Sequence, residues 1–198
     1  MPRPLHVDTP DVRVVKLCVG PMENNAYVVA CAATGDSIVV DAAAETDRIL
    51  AACQGTSPRA IVTTHGHWDH VQAADDVRAA LGVPLLVHPA DAGDLEATEP
   101  IPDVVEVGHL RFDAPHVPGH TPGSTCLAGY GLAFTGDTLF PGGPGATGSP
   151  EAFARIMGGL RDHLFTLPDE TLVLPGHGLD TTIGAERPHL DAWERRGH

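Results

Sequence analysis

The sequence predicts an α/β sandwich, in which two strand-rich halves pack sheet against sheet with helices on the outside. Three observations lead there. Short β-branched runs recur along the chain, separated by turns containing Asn, Gly and Pro. Segments with helical spacing are fewer and flank them. The strand-and-helix grammar of the first half returns in the second, so each half can form one sheet and cover it. A chain of 198 residues has room for one sizeable domain and too little for two ordinary ones, and 42% hydrophobic residues suffice for its core. The 22 Gly and 18 Pro are spread evenly, as expected for many tight connections rather than disorder. We therefore expect a single domain over residues 1–198.

The elements follow in order. VRVVKL (12–17), AYVVA (26–30) and SIVVD (37–41) read as consecutive strands. Residues 46–53 read as a short helix closed by Gly55, and RAIVTT (59–64) as the next strand. Beyond a loop, Val71, Ala74, Val77 and Leu81 recur at helical spacing and Gly82 supplies a stop. VPLLVH (83–88) completes a strand–helix–strand unit. In the second half VVEV (104–107), LRFDA (110–114), STCLAG (124–129) and LAFTGD (132–137) read as strands, with turns at Gly108–His109 and Tyr130–Gly131. Ser149-Pro150-Glu151 starts a helix with a capping serine, a proline at the first position and an acid in the first turn. Phe153, Ile156, Met157, Leu160 and Leu164 then form one apolar stripe for the core. TLVLPGHG (171–178) is a last strand running into a loop, and 185–196 a terminal helix.

Charge and composition exclude several functions. The formal net charge is −14, and Lys16 is the sole lysine. An acidic surface without a basic stripe repels phosphate backbones, so nucleic acid is not an expected partner. The start, MPRPLHVDTPDV, lacks the apolar stretch of a secretory signal. No apolar run approaches the roughly 20 residues a membrane helix needs, so no membrane association is expected. Cys18, Cys31, Cys53 and Cys126 form neither CxxC nor a dense framework, and read as buried, reduced thiols of a cytoplasmic protein.

The chemistry sits in TTHGHWDHV (63–71), on the loop between a strand and a helix, a rigidly supported place. A zinc site needs His, Asp or Cys ligands converging within about 2.0–2.3 Å of the ion. In an extended loop residues i and i+2 point the same way, so His65 and His67 can share one ion. Asp69 and His70, where the loop turns into the helix, can address a second. Other strand ends supply His120 in VPGHTPG, Asp137 in FTGDTLF and His177 in LPGHGLD, each flanked by glycine that lets the backbone approach an ion. These seven residues are enough for two metals sharing a bridging carboxylate.

HxHxDH at 65–70, followed by His120, Asp137 and His177 in that order, resembles the metallo-β-lactamase superfamily over about residues 12–190. The branch it is most similar to is the glyoxalase II-like hydrolases. TGDTLF carries an aspartate where many true β-lactamases have a cysteine, and HTPGST, PGHG and IGAERPHL look like the same branch. The resemblance implies a four-layer αββα sandwich. It implies His65, His67 and His120 on a first metal, Asp69, His70 and His177 on a second, and Asp137 bridging. It further implies two divalent ions, zinc in the first place with iron or manganese as alternatives, and a metal-bound hydroxide as nucleophile oriented by the catalytic Asp69. The implied substrate is a small-molecule thioester of a small thiol.

Some features depart from that branch. VDAA stands at 40–43 where VDPG is usual, and the loop after Asp137, TLFPGGPGATGS, lacks the customary arginine. We also expect no additional C-terminal helical region of the kind that binds glutathione in full-length glyoxalase II. Two other readings stay open on the same motif. One is a mononuclear iron sulfur (persulfide) dioxygenase using His65, His120 and Asp137. The other is a β-lactam or lactone hydrolase. The acyl group, the carrier thiol and the oligomeric state are not written in the motif. His88, His109, His116, His163, His189 and His198 have no matching role, although His116, close to His120, is a candidate to support a ligand from behind. Trp68 reads equally as a core contact or a pocket wall.

Overall fold

A computed structural model describes residues 5–96 and 98–197. His198 and the first four residues of the N-terminal stretch read above lie outside the described residues. The first sheet contains β1 (Val7–Asp8), β2 (Val12–Val19), β3 (Asn24–Cys31), β4 (Asp36–Val40), β5 (Ser57–Val62), β6 (Leu85–Leu86) and β7 (Thr98–Glu99), side by side in chain order. Its first four strands are antiparallel, and β4 to β7 run parallel. Crossovers between parallel strands carry the helices α1 (Thr46–Cys53), α2 (Trp68–Val71) and α3 (Ala74–Leu81).

The second sheet begins with β8 (Val104–Val107), β9 (Leu110–Asp113), β10 (Leu127–Gly129) and β11 (Leu132–Gly136). A small hairpin, β12 (Leu139–Phe140) and β13 (Gly143–Pro144), and the helix α4 (Pro150–Gly159) precede β14 (Leu172–Pro175) and β15 (Thr181–Thr182). The order is β15-β14-β11-β10-β9-β8, with β11 and β14 parallel. The chain closes through α5 (Ile183–Glu186) and α6 (Leu190–Arg196).

Packing gives four layers. Val14, Tyr27, Val29 and Ile38 of the first sheet meet Val105, Phe112, Leu127 and Phe134 of the second, and the Tyr27 and Phe134 rings stand edge to face at 5.3 Å. The other face of the first sheet buries Val28, Val39 and Ile61 against Ile49, Ala74 and Val77 of its helices. The whole stripe Phe153, Ile156, Met157, Leu160 and Leu164 is buried on the outer face of the second sheet, together with Trp193 of α6. The fold is thus the expected αββα sandwich.

Several local expectations need correction. VPLLVH keeps only Leu85–Leu86 as strand, and STCLAG only Leu127–Gly129. The helix expected after the motif is broken in two at Gln72–Ala73, because the Ala73 amide donates to the Ala42 carbonyl at 3.0 Å. The terminal helix starts earlier, at Ile183, and Pro188 converts its middle to a 3-10 turn. The stripe of α4 runs on through a π-turn at Leu160–Leu164. Cys31, Cys53 and Cys126 are buried, but Cys18 is exposed.

Candidate metal centre

The motif is built at the exit of β5. Buried Thr64 is clamped by Asp41, whose carboxylate accepts from the Thr64 amide and hydroxyl, both at 2.7 Å. His65 is delivered straight behind it and is 1% exposed. His67 is still extended and precedes α2, a single turn that turns Asp69 and His70 inward and leaves Trp68 60% exposed. Trp68 is therefore no core contact. From the second sheet, His120 comes from the turn before β10, Asp137 directly follows β11, and His177 follows β14. Gly176 makes that last approach feasible, since a Cβ there would lie 2.6 Å from the His70 ring.

All seven residues singled out in the sequence are brought together. Donor atoms of His65, His67 and His120 lie within 4.8 Å of one another, as do those of Asp69, His70 and His177. His65, His70 and Asp137 form a third such group that joins the other two. His67 Nδ1 is 2.9 Å from His120 Nε2, and His70 Nε2 is 3.1 Å from His177 Nε2. Asp69 Oδ2 stands 3.3 Å from His177 Nε2, and Asp137 Oδ2 3.5 Å from His120 Nε2.

Three rings are held from behind. His120 Nδ1 meets the Ala146 carbonyl at 2.8 Å, and His177 Nδ1 meets the Met22 carbonyl at 3.0 Å. His70 Nδ1 meets Asp41 Oδ2 at 3.0 Å. A proton on each outward nitrogen satisfies these acceptors and leaves the inward nitrogen as a lone pair. Without a cation, facing lone pairs at such distances repel. His65 Nε2 and Asp137 Oδ1 are buried and make no hydrogen bond, the nearest base to Asp137 Oδ1 being His70 Nε2 at 3.4 Å. Orphaned acceptors of these types, converging from all sides, fit divalent metal ions.

The electrostatics agree. Burial, reinforced by the neighbouring histidines, holds His65 well below the usual histidine range, so it is neutral and able to ligate. Burial and His120 likewise lower His67. Burial would raise Asp69, but the Asn24 amide (2.9 Å) and His70 outweigh it and keep the carboxyl low. Burial would also lower His70, yet the Asp137 and Asp41 carboxylates on either side of its ring push it up to about 10. With no metal between them, a proton held on His70 relieves the repulsion of the facing lone pairs, and a metal there would displace it.

Sequence reasoning missed the supports. Asp41 was read only as the end of a strand, although an acid closing the apolar run SIVVD was a usable signal. Asn24 holds Asp69, and Asn25 and Tyr27 both donate to the Pro175 carbonyl at 2.9 and 2.7 Å, fixing the segment before His177. Asp91 also went unnoticed. His116 is a correction. Its ring stacks on His88 at 4.1 Å with 9° between planes, its Nε2 meets the Pro122 carbonyl, and among the described residues it shares no hydrogen bond or ring contact with the seven.

Comparison with known proteins gives concordant results. The profile described as metallo-beta-lactamase superfamily matches residues 19–177. An uncharacterised protein from Aquifex aeolicus is 34% identical over 85% of this chain and 91% of its own length. The hydroxyacylglutathione hydrolase of Anaeromyxobacter dehalogenans is 40% identical over 69% of this chain and 59% of its own. The crystal structure of TTHA1623 in a di-iron-bound form superposes with a TM-score of 0.74 at 32% identity, covering 87% of this chain and 96% of that one.

Proposed function

The chain belongs to the metallo-β-lactamase superfamily, and we propose that it is a binuclear metal-dependent hydrolase that cleaves thioesters of small thiols. The observation that carries this reading is the convergence of seven donors, among which His65 Nε2 and Asp137 Oδ1 are buried without a hydrogen bond. His65, His67 and His120 would hold one ion and Asp69, His70 and His177 a second, with Asp137 between them. When bound, divalent ions, zinc first and iron or manganese as alternatives, lower the pKa of water to about 7 and polarise an acyl carbonyl.

The chain's own groups do the rest. Asp69, kept ionised and pinned by Asn24, accepts a hydrogen bond from the attacking water and orients it. Asp41 and the Ala146 and Met22 carbonyls hold the imidazole rings against rotation, so the donor set is organised in advance. A thiolate leaves near neutral pH with little protonation, so the reaction makes little demand on a general acid.

Recognition at the rim is weakly charged. Arg187 is bound to Asp169 and the Leu167 carbonyl, and Lys16 to Asp180 and the Gly178 carbonyl. Trp68 and Leu179 are exposed beside His67 and His177, and the Phe140 ring stands 6.5 Å from that of His177. Both of these cations, Arg187 and Lys16, are already paired and so are poorly placed to receive the carboxylates of a glutathione carrier, and we read the enzyme as broad in range, with high Michaelis constants. Elemental analysis with a panel of thioester, β-lactam, lactone and persulfide substrates tests this. Two zinc per chain with turnover of uncharged thioesters is expected. One iron with oxygen uptake on the persulfide would replace the hydrolase by a dioxygenase. A preference for S-lactoylglutathione above about a hundredfold, near 2.7 kcal/mol, would contradict the recognition argument.

A further inference from the structure

Resting on the metal reading above, we propose that Asp91 is the positioning residue that sets the His67–His120 spacing, and with it the geometry of the His65–His67–His120 group. Asp91 ends a 3-10 turn (Pro89–Asp91) and is only 9% exposed. Its Oδ2 accepts from the Gly66 amide at 2.9 Å and the Thr121 hydroxyl at 2.5 Å, and its Oδ1 accepts from the Gly123 amide at 2.7 Å. Gly66 lies between His65 and His67, and Thr121 follows His120. One buried carboxylate thus grips the backbone between two of the histidines and the residue beyond the third.

The chain closes tightly around this carboxylate. A Cβ at Gly123 would lie 2.6 Å from Asp91 Cγ, and one at Gly66 would run into the Asp91 carbonyl. These two glycines make the approach possible. A carboxylate suits the position because it accepts only, and here it meets three donors. The stack of His88 on His116, and the His116 bond to the Pro122 carbonyl, tie the stretch that ends at Asp91 to the turn that carries Thr121 and Gly123 a second time. Asp91 belongs to none of the three donor groups, so it acts through the loops. The other group is held differently, with Asp41 behind His70, Asn24 on Asp69 and the Met22 carbonyl behind His177. Loss of Asp91 should therefore be felt at one group and not the other.

The test is zinc and cobalt titration of the wild-type protein, Asp91→Asn and the milder Thr121→Val, with chelator competition and cobalt absorption as readouts. Asp91→Asn keeps the size but sets an NH2 against a donor. Affinity at one of the two binding steps should fall about 10–100-fold, with an altered cobalt spectrum for that step alone. Thr121→Val should weaken the same step by less. Folded variants that bind both ions as the wild type does, or that lose both steps equally, would overturn the assignment. If Asp91→Asn does not fold, Thr121→Val decides by the same criteria. A wild-type protein that takes up no ion overturns the metal reading itself, and this inference with it.

Discussion

At the scale of single residues, distance in sequence is a poor guide to role. His116 lies four positions from His120, yet it stacks on His88. Asp41 lies far from His70 in the chain and touches its ring. A direct comparison follows. Asp69→Ala removes a donor and the group that orients water, so kcat should fall by about a thousandfold or more even at saturating zinc. His116→Ala removes a stacked ring and a bond to Pro122, and should cost less than about tenfold. Steady-state kinetics with metal content measured alongside will check this, and equal losses in two folded, fully loaded variants would contradict the role given to Asp69. The candidate ligands were legible because HxHxDH is dense and glycine-flanked histidines and aspartates recur at later strand ends. Asn24 and Asp91 were not, since an isolated amide, or one acid among 26 Asp and Glu, carries no local mark, and Asp41 showed only as the acid that closes SIVVD.

At the scale of elements, legibility tracks length. Helix 46–53 and strand 104–107 have the bounds their patterns predicted, because β-branched runs and closing turns act locally. The two-residue strands β1, β7, β12, β13 and β15 are too short to show any alternation. The break between α2 and α3 depends on a bond from Ala73 to Ala42 across the chain, which no window of local sequence contains. The α4 start was legible because it is chemical: Ser149 Oγ accepts from the Ala152 amide at 3.2 Å, ahead of Pro150. This helix also backs the site, since a Cβ at Gly119, just before His120, would lie 2.6 Å from Ile156 Cβ. Ser149→Ala should therefore cost about 1 kcal/mol in urea unfolding, and Ser149→Asp should recover most of it. Metal stoichiometry should be unchanged in both. A Ser149→Ala variant as stable as the wild type would mean that the first turn needs no cap.

At the scale of the whole molecule, the candidate centre sits where the two sheets meet. His65, His67, Asp69 and His70 follow β5 of the first sheet, whereas His120, Asp137 and His177 adjoin strands of the second. Direct bonds already join the halves around it: the Thr125 amide donates to the Thr64 carbonyl at 2.8 Å, and the Asn25 amide to the Gly176 carbonyl at 2.7 Å. Ions held by both sets of donors would add a second link at the same seam. The chain carries a net charge of −14, so ions that neutralise Asp69 and Asp137 also relieve part of its self-repulsion. Ligands that bind only the folded state stabilise it by about 4 kcal/mol at a thousandfold excess over Kd. For a domain of this size each kcal/mol shifts the midpoint by about 2–4 °C, so removing metal with a chelator should lower Tm by about 8–16 °C. The paired variant His65→Ala, His177→Ala takes one donor from each group and should show almost no chelator effect. Calorimetric scans of both proteins, with and without chelator, read this directly. If elemental analysis finds ions on the wild type and their removal leaves Tm unchanged, those ions do not link the two sheets.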